Sequence, residues 1–222
     1  MFASLLACDG FFVGIFALAV LVGFTRGRLF ALVNLDVEMN PAAWYSSVQL
    51  FVVALPFLVL GLRLAPDAPL TLRLRRLWLA LGLAFVYLSM DEAASVHERL
   101  AHMLRRVHFN FTIGGSKRWI FFYLVLLLVL LFVFRNDLRV AWHDWRRECV
   151  IFAFGFAVLM TGALVLESFE AIHRWVGLAR YLEIGVEEGF EMLGATIIAL
   201  PAYRILAYAV GYELDRLSPG DD

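Results

Sequence analysis

Apolar residues run through this chain in long stretches without two-residue alternation, and polar residues gather at the ends of those stretches. A helix crossing a bilayer core takes about 20 mainly apolar residues. Six stretches reach or approach that length, at about 2–24, 41–62, 77–98, 119–134, 150–171 and 181–203. In lipid every backbone polar group must be satisfied inside the fold, and the missing alternation argues against a barrel. The expectation is an all-α polytopic transmembrane helix bundle of about six spans, a single integral membrane domain over 1–222.

The stretches differ in their ends and in their faces. Thr25-Arg26-Gly27-Arg28 stops the first, while Asn40 as N-cap and Pro41 at the first helical position start the second. A Pro- and Arg-rich loop, Arg63 to Arg76, precedes the third, which keeps helical spacing from Leu77 to Glu98. Trp119 to Phe134 is apolar all round except for Tyr123, as expected of the most lipid-exposed helix. Arg135 to Glu148 is a basic connector whose Trp142 and Trp145 suit the headgroup region, and Trp44, Tyr45 and Trp119 read as interface anchors.

Composition narrows the class. The chain is 62% hydrophobic and 18% charged, the balance of a membrane protein, and its net charge of −1 gives no drive toward nucleic acid. The single lysine, Lys117, lies outside the apolar runs, which removes a retinal-type Schiff base. Two cysteines, Cys8 and Cys149, exclude a disulfide framework and a Cys-rich zinc or iron–sulfur site. Leu5 to Cys8 has a faint lipoprotein-box form, but without a basic and an apolar segment before it neither that nor a cleaved signal peptide is expected. Gly114-Gly115-Ser116-Lys117 lacks the spacing of a phosphate loop.

With six spans, the first, third and fifth connections share one side of the membrane. That side collects Asn34 to Asn40, then Asp91, Glu92, His97 and Glu98, then Glu167, Glu170 and His173, then Glu183, Glu187, Glu188 and Glu191. Nine of the 19 Lys and Arg fall there and ten on the other side, so insertion direction stays open. Burying one carboxylate near a bilayer centre costs about 2.5–3.5 kcal/mol on insertion scales. Several together imply a cation, a shared proton or water. At 1.5 Å per residue Asp91 and Glu187 sit about 9 Å below the interface, with Glu191 deeper and Glu167 about one turn in.

Spacing groups these acids. Asp91, Ser95, Glu98 and His102 share one stripe of the third helix, with His97 pointing about 100–120° away. Glu167, Glu170 and His173 follow i, i+3, i+6, and Glu170 to His173 is an E-x-x-H, the form that lets one helix offer a carboxylate and an imidazole to a metal. Glu183, Glu187 and Glu191 make a further stripe, with Glu188 beside it. Such a set suits a divalent metal, Fe, Mn or Zn. Candidate catalytic residues are Asp91, Glu98 and Glu187; candidate metal ligands are His97, Glu98, Glu167, Glu170, His173, Glu187 and Glu191.

Plainer roles exist for several of these residues. The helix dipole favours Glu183 and Glu187 near a helix start, and Glu98 has Arg99 and Arg174 as possible partners. Asn34, Asp36, Glu38 and Asn40 alternate in an extended segment that could cover the site or add oxygen ligands. His108 and His143 read as solvated. Gly185 and Gly189 form a small-x-x-x-small pair suited to close helix packing.

Three stretches, Asn34–Ser47 (NLDVEMNPAAWYSS), Leu88–Glu98 (LSMDEAASVHE) and Glu187–Gly194 (EEGFEMLG), resemble a family of uncharacterised bacterial multi-pass membrane proteins. The first departs from the Ile-Pro-Thr-Trp form of that family. The resemblance implies a six-helix protein of the bacterial inner (cytoplasmic) membrane and carries no activity. From the residues, the leading expectation is a metal-dependent enzyme acting on a lipid-like or quinone-like substrate. Two others stand beside it. One is an accessory or assembly subunit of a larger membrane complex. The other is a proton or cation transporter, although the opposite half offers mainly Asp9, Gln49 and Thr161 and lacks inverted repeats. Haem ligation by His97 and His173 is disfavoured by the surrounding carboxylates.

Overall fold

The structure is a computed structural model that describes residues 1–37, 40–62, 72–97, 99, 103, 118–166 and 176–217. It is an all-α bundle, with no strand among the described residues. The helices are α1 (Phe2–Leu21), the short α2 (Arg28–Ala31), α3 (Pro41–Gly61), α4 (Arg75–Ala94), α5 (Arg118–Val133), α6 (Arg135–Asp144), α7 (Arg146–Met160) and α8 (Leu178–Leu217). A π-helical segment, Thr161–Leu166, continues α7. Among the described residues five helices are long and apolar enough to cross a bilayer: α1, α3, α4, α7 with its π segment, and α8. The chain is a multi-pass membrane protein by that measure. The fourth expected span, α5, is described over 16 residues, about 24 Å of helix, starting at Arg118 where the described residues resume.

Two expected boundaries move. The third span was expected to run as one helix to Glu98, yet α4 stops at Ala94 and Ser95 takes a left-handed conformation, φ 49° and ψ 46°. The sixth was expected to end near Tyr203, yet α8 continues to Leu217 through Pro201, which is fully buried. Proline inside a helix is tolerated where neighbouring helices support the backbone it disturbs. The same rule explains a contact in α3. Pro56 has no N–H for the Val52 carbonyl, and the Tyr203 hydroxyl of α8 donates to that oxygen at 3.1 Å.

The packing centres on α8, which touches α1, α3 and α7, while α3 and α4 form the most extensive pair. Phe57 of α3 stacks on Trp78 and Phe85 of α4. A reciprocal serine pair ties the same helices: Ser47 Oγ donates to the Ser89 carbonyl at 2.7 Å, and Ser89 Oγ to the Ser47 carbonyl at 2.8 Å. At the α7–α8 crossing a Cβ on Gly194 would lie 2.5 Å from the Leu159 backbone nitrogen, so only glycine allows that approach. Gly185 and Gly189, as expected of a small pair, lie where α1 brings Phe16 and Val13.

The two tryptophans of the basic connector separate. Trp142 is exposed, but Trp145 is buried edge-on against Tyr208 of α8, 5.0 Å between ring centroids, and so is not a headgroup residue. No side chain described on α5 is buried, in keeping with a lipid-facing helix. Gly194→Leu is expected to wedge α7 from α8 at a cost of about 1–3 kcal/mol. A melting curve in detergent checks it, with Gly14→Ala as the reference because a Cβ there meets nothing within 4 Å. The first should lower the midpoint and the second should leave it unchanged or slightly raised.

Candidate functional site

The acids expected to converge do so in part. A cavity of about 910 Å³ lies between α3, α4, α5, the π segment, α8 and the first connection. Asp91, Glu92 and His97 line it from the end of α4, and Glu187, Glu188 and Glu191 from α8. The rest of the wall is mainly apolar, including Leu50, Leu83, Leu127, Leu130, Leu159 and Met160. Candidate residues Glu98, Glu167, Glu170 and His173 lie outside the described residues, as do Glu38 and His102. Among the described residues no three His, Cys, Asp or Glu side chains are grouped so as to hold a metal ion.

The turn at Ser95 changes the expected stripe. In a continuous helix His97 would point away from Asp91. The left-handed residue instead folds the chain back, and the His97 backbone N–H donates to Asp91 Oδ1 at 2.7 Å, with His97 Nδ1 at 3.3 Å. The other carboxylate oxygen, Oδ2, accepts from the Tyr123 hydroxyl at 2.8 Å. Tyr123 is in turn 2.8 Å from the Tyr87 hydroxyl. Since the Tyr123 hydrogen is committed to Asp91, Tyr87 is the donor to Tyr123. Asp91, 7% exposed, is thus held from α4, α5 and the following turn at once.

On α8 the acidic stripe divides. Glu183 turns to Arg180, whose Nη1 donates to Glu183 Oε2 at 3.1 Å, and Arg180 Nη2 donates to Asp36 Oδ1 at 2.7 Å. Arg180, which the sequence reading did not single out, therefore fastens the first connection to the start of α8. The polar residues of that connection serve its own folding. Asn40 Oδ1 caps α3 through the Ala43 N–H at 2.9 Å, and its Nδ2 donates to the Asn34 carbonyl at 2.6 Å. Leu35, Asp36 and Val37 line the cavity as a lid would. Glu187 and Glu191 face the π segment: a Cβ on Gly162 would lie 2.7 Å from both the Glu187 carbonyl oxygen and Glu191 Cγ. π-Helical turns recur at functional sites.

A second polar cluster was missed. Asp9 of α1 is 6% exposed. It accepts from the Tyr45 hydroxyl at 2.6 Å and Gln49 Nε2 at 3.0 Å through Oδ1, and from the Thr196 hydroxyl at 2.7 Å through Oδ2. Tyr45 is therefore not an interface anchor but an inward-facing donor, whereas Trp44 is exposed as expected. A signal was present: Asp9 is the one acid of the first stretch, Gln49 the one amide of the second, and Thr196 the one threonine of the last. Lone polar groups in separate apolar stretches find one another when the helices pack.

Fold and cavity together define a polytopic α-helical membrane protein with an internal space that is apolar on one side and acidic on the other. Residues 9–205 match the profile described as a domain of unknown function, DUF8692, and the chain belongs to that family. No curated protein and no solved structure matches the chain.

Tyr123→Phe strips Asp91 Oδ2 of a donor, and Asp91→Asn weakens the acceptor. Each is expected to cost about 1–3 kcal/mol. Because both act on one contact, the double variant should lose less than the sum, by about 0.5 kcal/mol or more. Thermal or denaturant unfolding in detergent of all four proteins checks this; strictly additive losses would show that the contact is not made.

Proposed function

We propose that this protein is a metal-dependent enzyme of the bacterial cytoplasmic membrane, with α5 as a sixth crossing, acting on a lipid-like or quinone-like substrate. The observation that carries the reading is the two-sided wall of the cavity. Its volume of about 910 Å³ falls within the range of small-molecule sites, about 300–1,000 Å³. Leu50, Leu83, Leu127, Leu130, Leu159 and Met160 suit an acyl chain or ring system, and the end lined by Asp91, His97, Glu187 and Glu191 suits its polar group.

The donor set favours Fe, Mn or Zn, for which imidazole and carboxylate are compatible ligands. Asp91 Oδ1 lies 3.3 Å from His97 Nδ1, an outer contact that would orient the imidazole and leave Nε2 to hold a metal. In this reading Glu187 and Glu191 supply oxygens from α8, and Glu98, Glu167, Glu170 and His173 complete the ligand set. A bound metal supplies Lewis-acid activation of substrate or water. The chain's own part is to hold the amphiphile, exclude bulk water and place Asp91, Glu98 or Glu187 for proton transfer.

Elemental analysis of protein extracted in mild detergent without chelator tests the reading. Stoichiometric transition metal is expected in the natural protein and its loss in the Glu187→Ala/Glu191→Ala double variant at unchanged elution volume. Absence of metal from the natural protein contradicts it. In that event ion flux in proteoliposomes would favour a transporter, and stoichiometric co-purifying chains an accessory subunit.

A further inference from the structure

Asp9 stands about 18 Å of helix from the end of α1 at Leu21, in the interior of the bundle. Its hydrogen-bond partners, Tyr45, Gln49 and Thr196, are all uncharged. The donors of this cluster carry four hydrogens: one on Tyr45, two on Gln49 Nε2 and one on Thr196. They serve six contacts: Tyr45 to Asp9 and to the Leu5 carbonyl, Gln49 to Asp9, the Met192 carbonyl and Thr196, and Thr196 to Asp9. Among the described residues, none donates to the buried Gln49 Oε1. The cluster is short of hydrogens.

A proton on Asp9 supplies one, and Tyr45 is positioned to accommodate it. The Tyr45 oxygen lies 2.6 Å from Asp9 Oδ1 and 3.1 Å from the Leu5 carbonyl oxygen. With Asp9 ionised, Tyr45 donates to Oδ1. With Asp9 protonated on Oδ1, the new O–H donates to the Tyr45 oxygen, and Tyr45 rotates its own hydrogen to Leu5. No heavy atom has to move, and no bond other than O–H forms or breaks.

We propose that Asp9 is a proton-binding site in the interior of the bundle, whose protonation the Tyr45 hydroxyl accommodates by turning its hydrogen from Asp9 Oδ1 to the Leu5 carbonyl. Gln49, which donates to Asp9, also lines the large cavity and so sets the cluster beside it. The proposal stands whether or not a metal is bound in that cavity. The groups bonded to Asp9 are Tyr45 and Gln49 from α3 and Thr196 from α8; Cys8 adjoins it on α1 and is exposed. The acids nearest along α8, Glu188 and Glu191, line the cavity.

Infrared difference spectroscopy of the full-length protein in lipid vesicles tests this, with aspartate isotope-labelled at its side-chain carboxyl carbon. A label-sensitive carboxylic-acid carbonyl band is expected, changing with pH or shifting in deuterium oxide. Asp9→Asn should remove it, Tyr45→Phe and Thr196→Val should shift it, and Asp91→Asn should leave it in place. Should Asp9→Asn fail to fold, the other two cluster variants decide. Absence of a label-sensitive band, or one that ignores deuterium, pH and every cluster variant, overturns the proposal.

Discussion

A polar side chain inside a bilayer has no water to turn to, so it must be answered by another part of the protein. That constraint organises this bundle. Asp9 joins α1 to α3 and α8, Ser47 and Ser89 join α3 to α4, and the Tyr203 hydroxyl meets the carbonyl that Pro56 leaves unsatisfied. Apolar packing alone drives helices together weakly in lipid, because lipid tails are as apolar as leucine. Close approach at Gly194 and hydrogen bonds between helices supply register as well as adhesion.

The same constraint shapes the cavity. Its polar end is held by partners rather than left bare: Asp91 by Tyr123 and the His97 turn, and Arg180 by Asp36. What remains facing the space is a mixed wall of aliphatic side chains and carboxylates. Opposite Glu187 and Glu191 the helix from Arg146 widens into its π segment, where Gly162 admits the α8 backbone.

Much of the architecture was legible from residue order. The long apolar runs, the Asn40–Pro41 start and the exposed α5 follow from local rules of length, capping and amphipathicity. So did the sharing of one space by Asp91, His97, Glu187 and Glu191, because span parity alone puts their helix ends on one side. The Ser95 turn was not legible, since Ser carries no preference for a left-handed backbone and the surrounding residues continue a helical pattern. Nor was the far end of α8, where Pro201 reads locally as a stop and only tertiary support lets the helix pass. The Asp9 cluster joins residues up to 187 positions apart, and no single stretch shows such a contact.

The shared, amphiphilic cavity is the central claim, and an experimental map of the protein in lipid nanodiscs, enlarged by a rigid antibody fragment, tests it most directly. Asp91, His97, Glu187 and Glu191 should surround one enclosed space, with the Tyr123 and Asp91 side chains in contact and elongated density against the aliphatic wall. A collapsed space, or α4 and α8 turned so that these side chains face bulk solvent separately, would contradict the account.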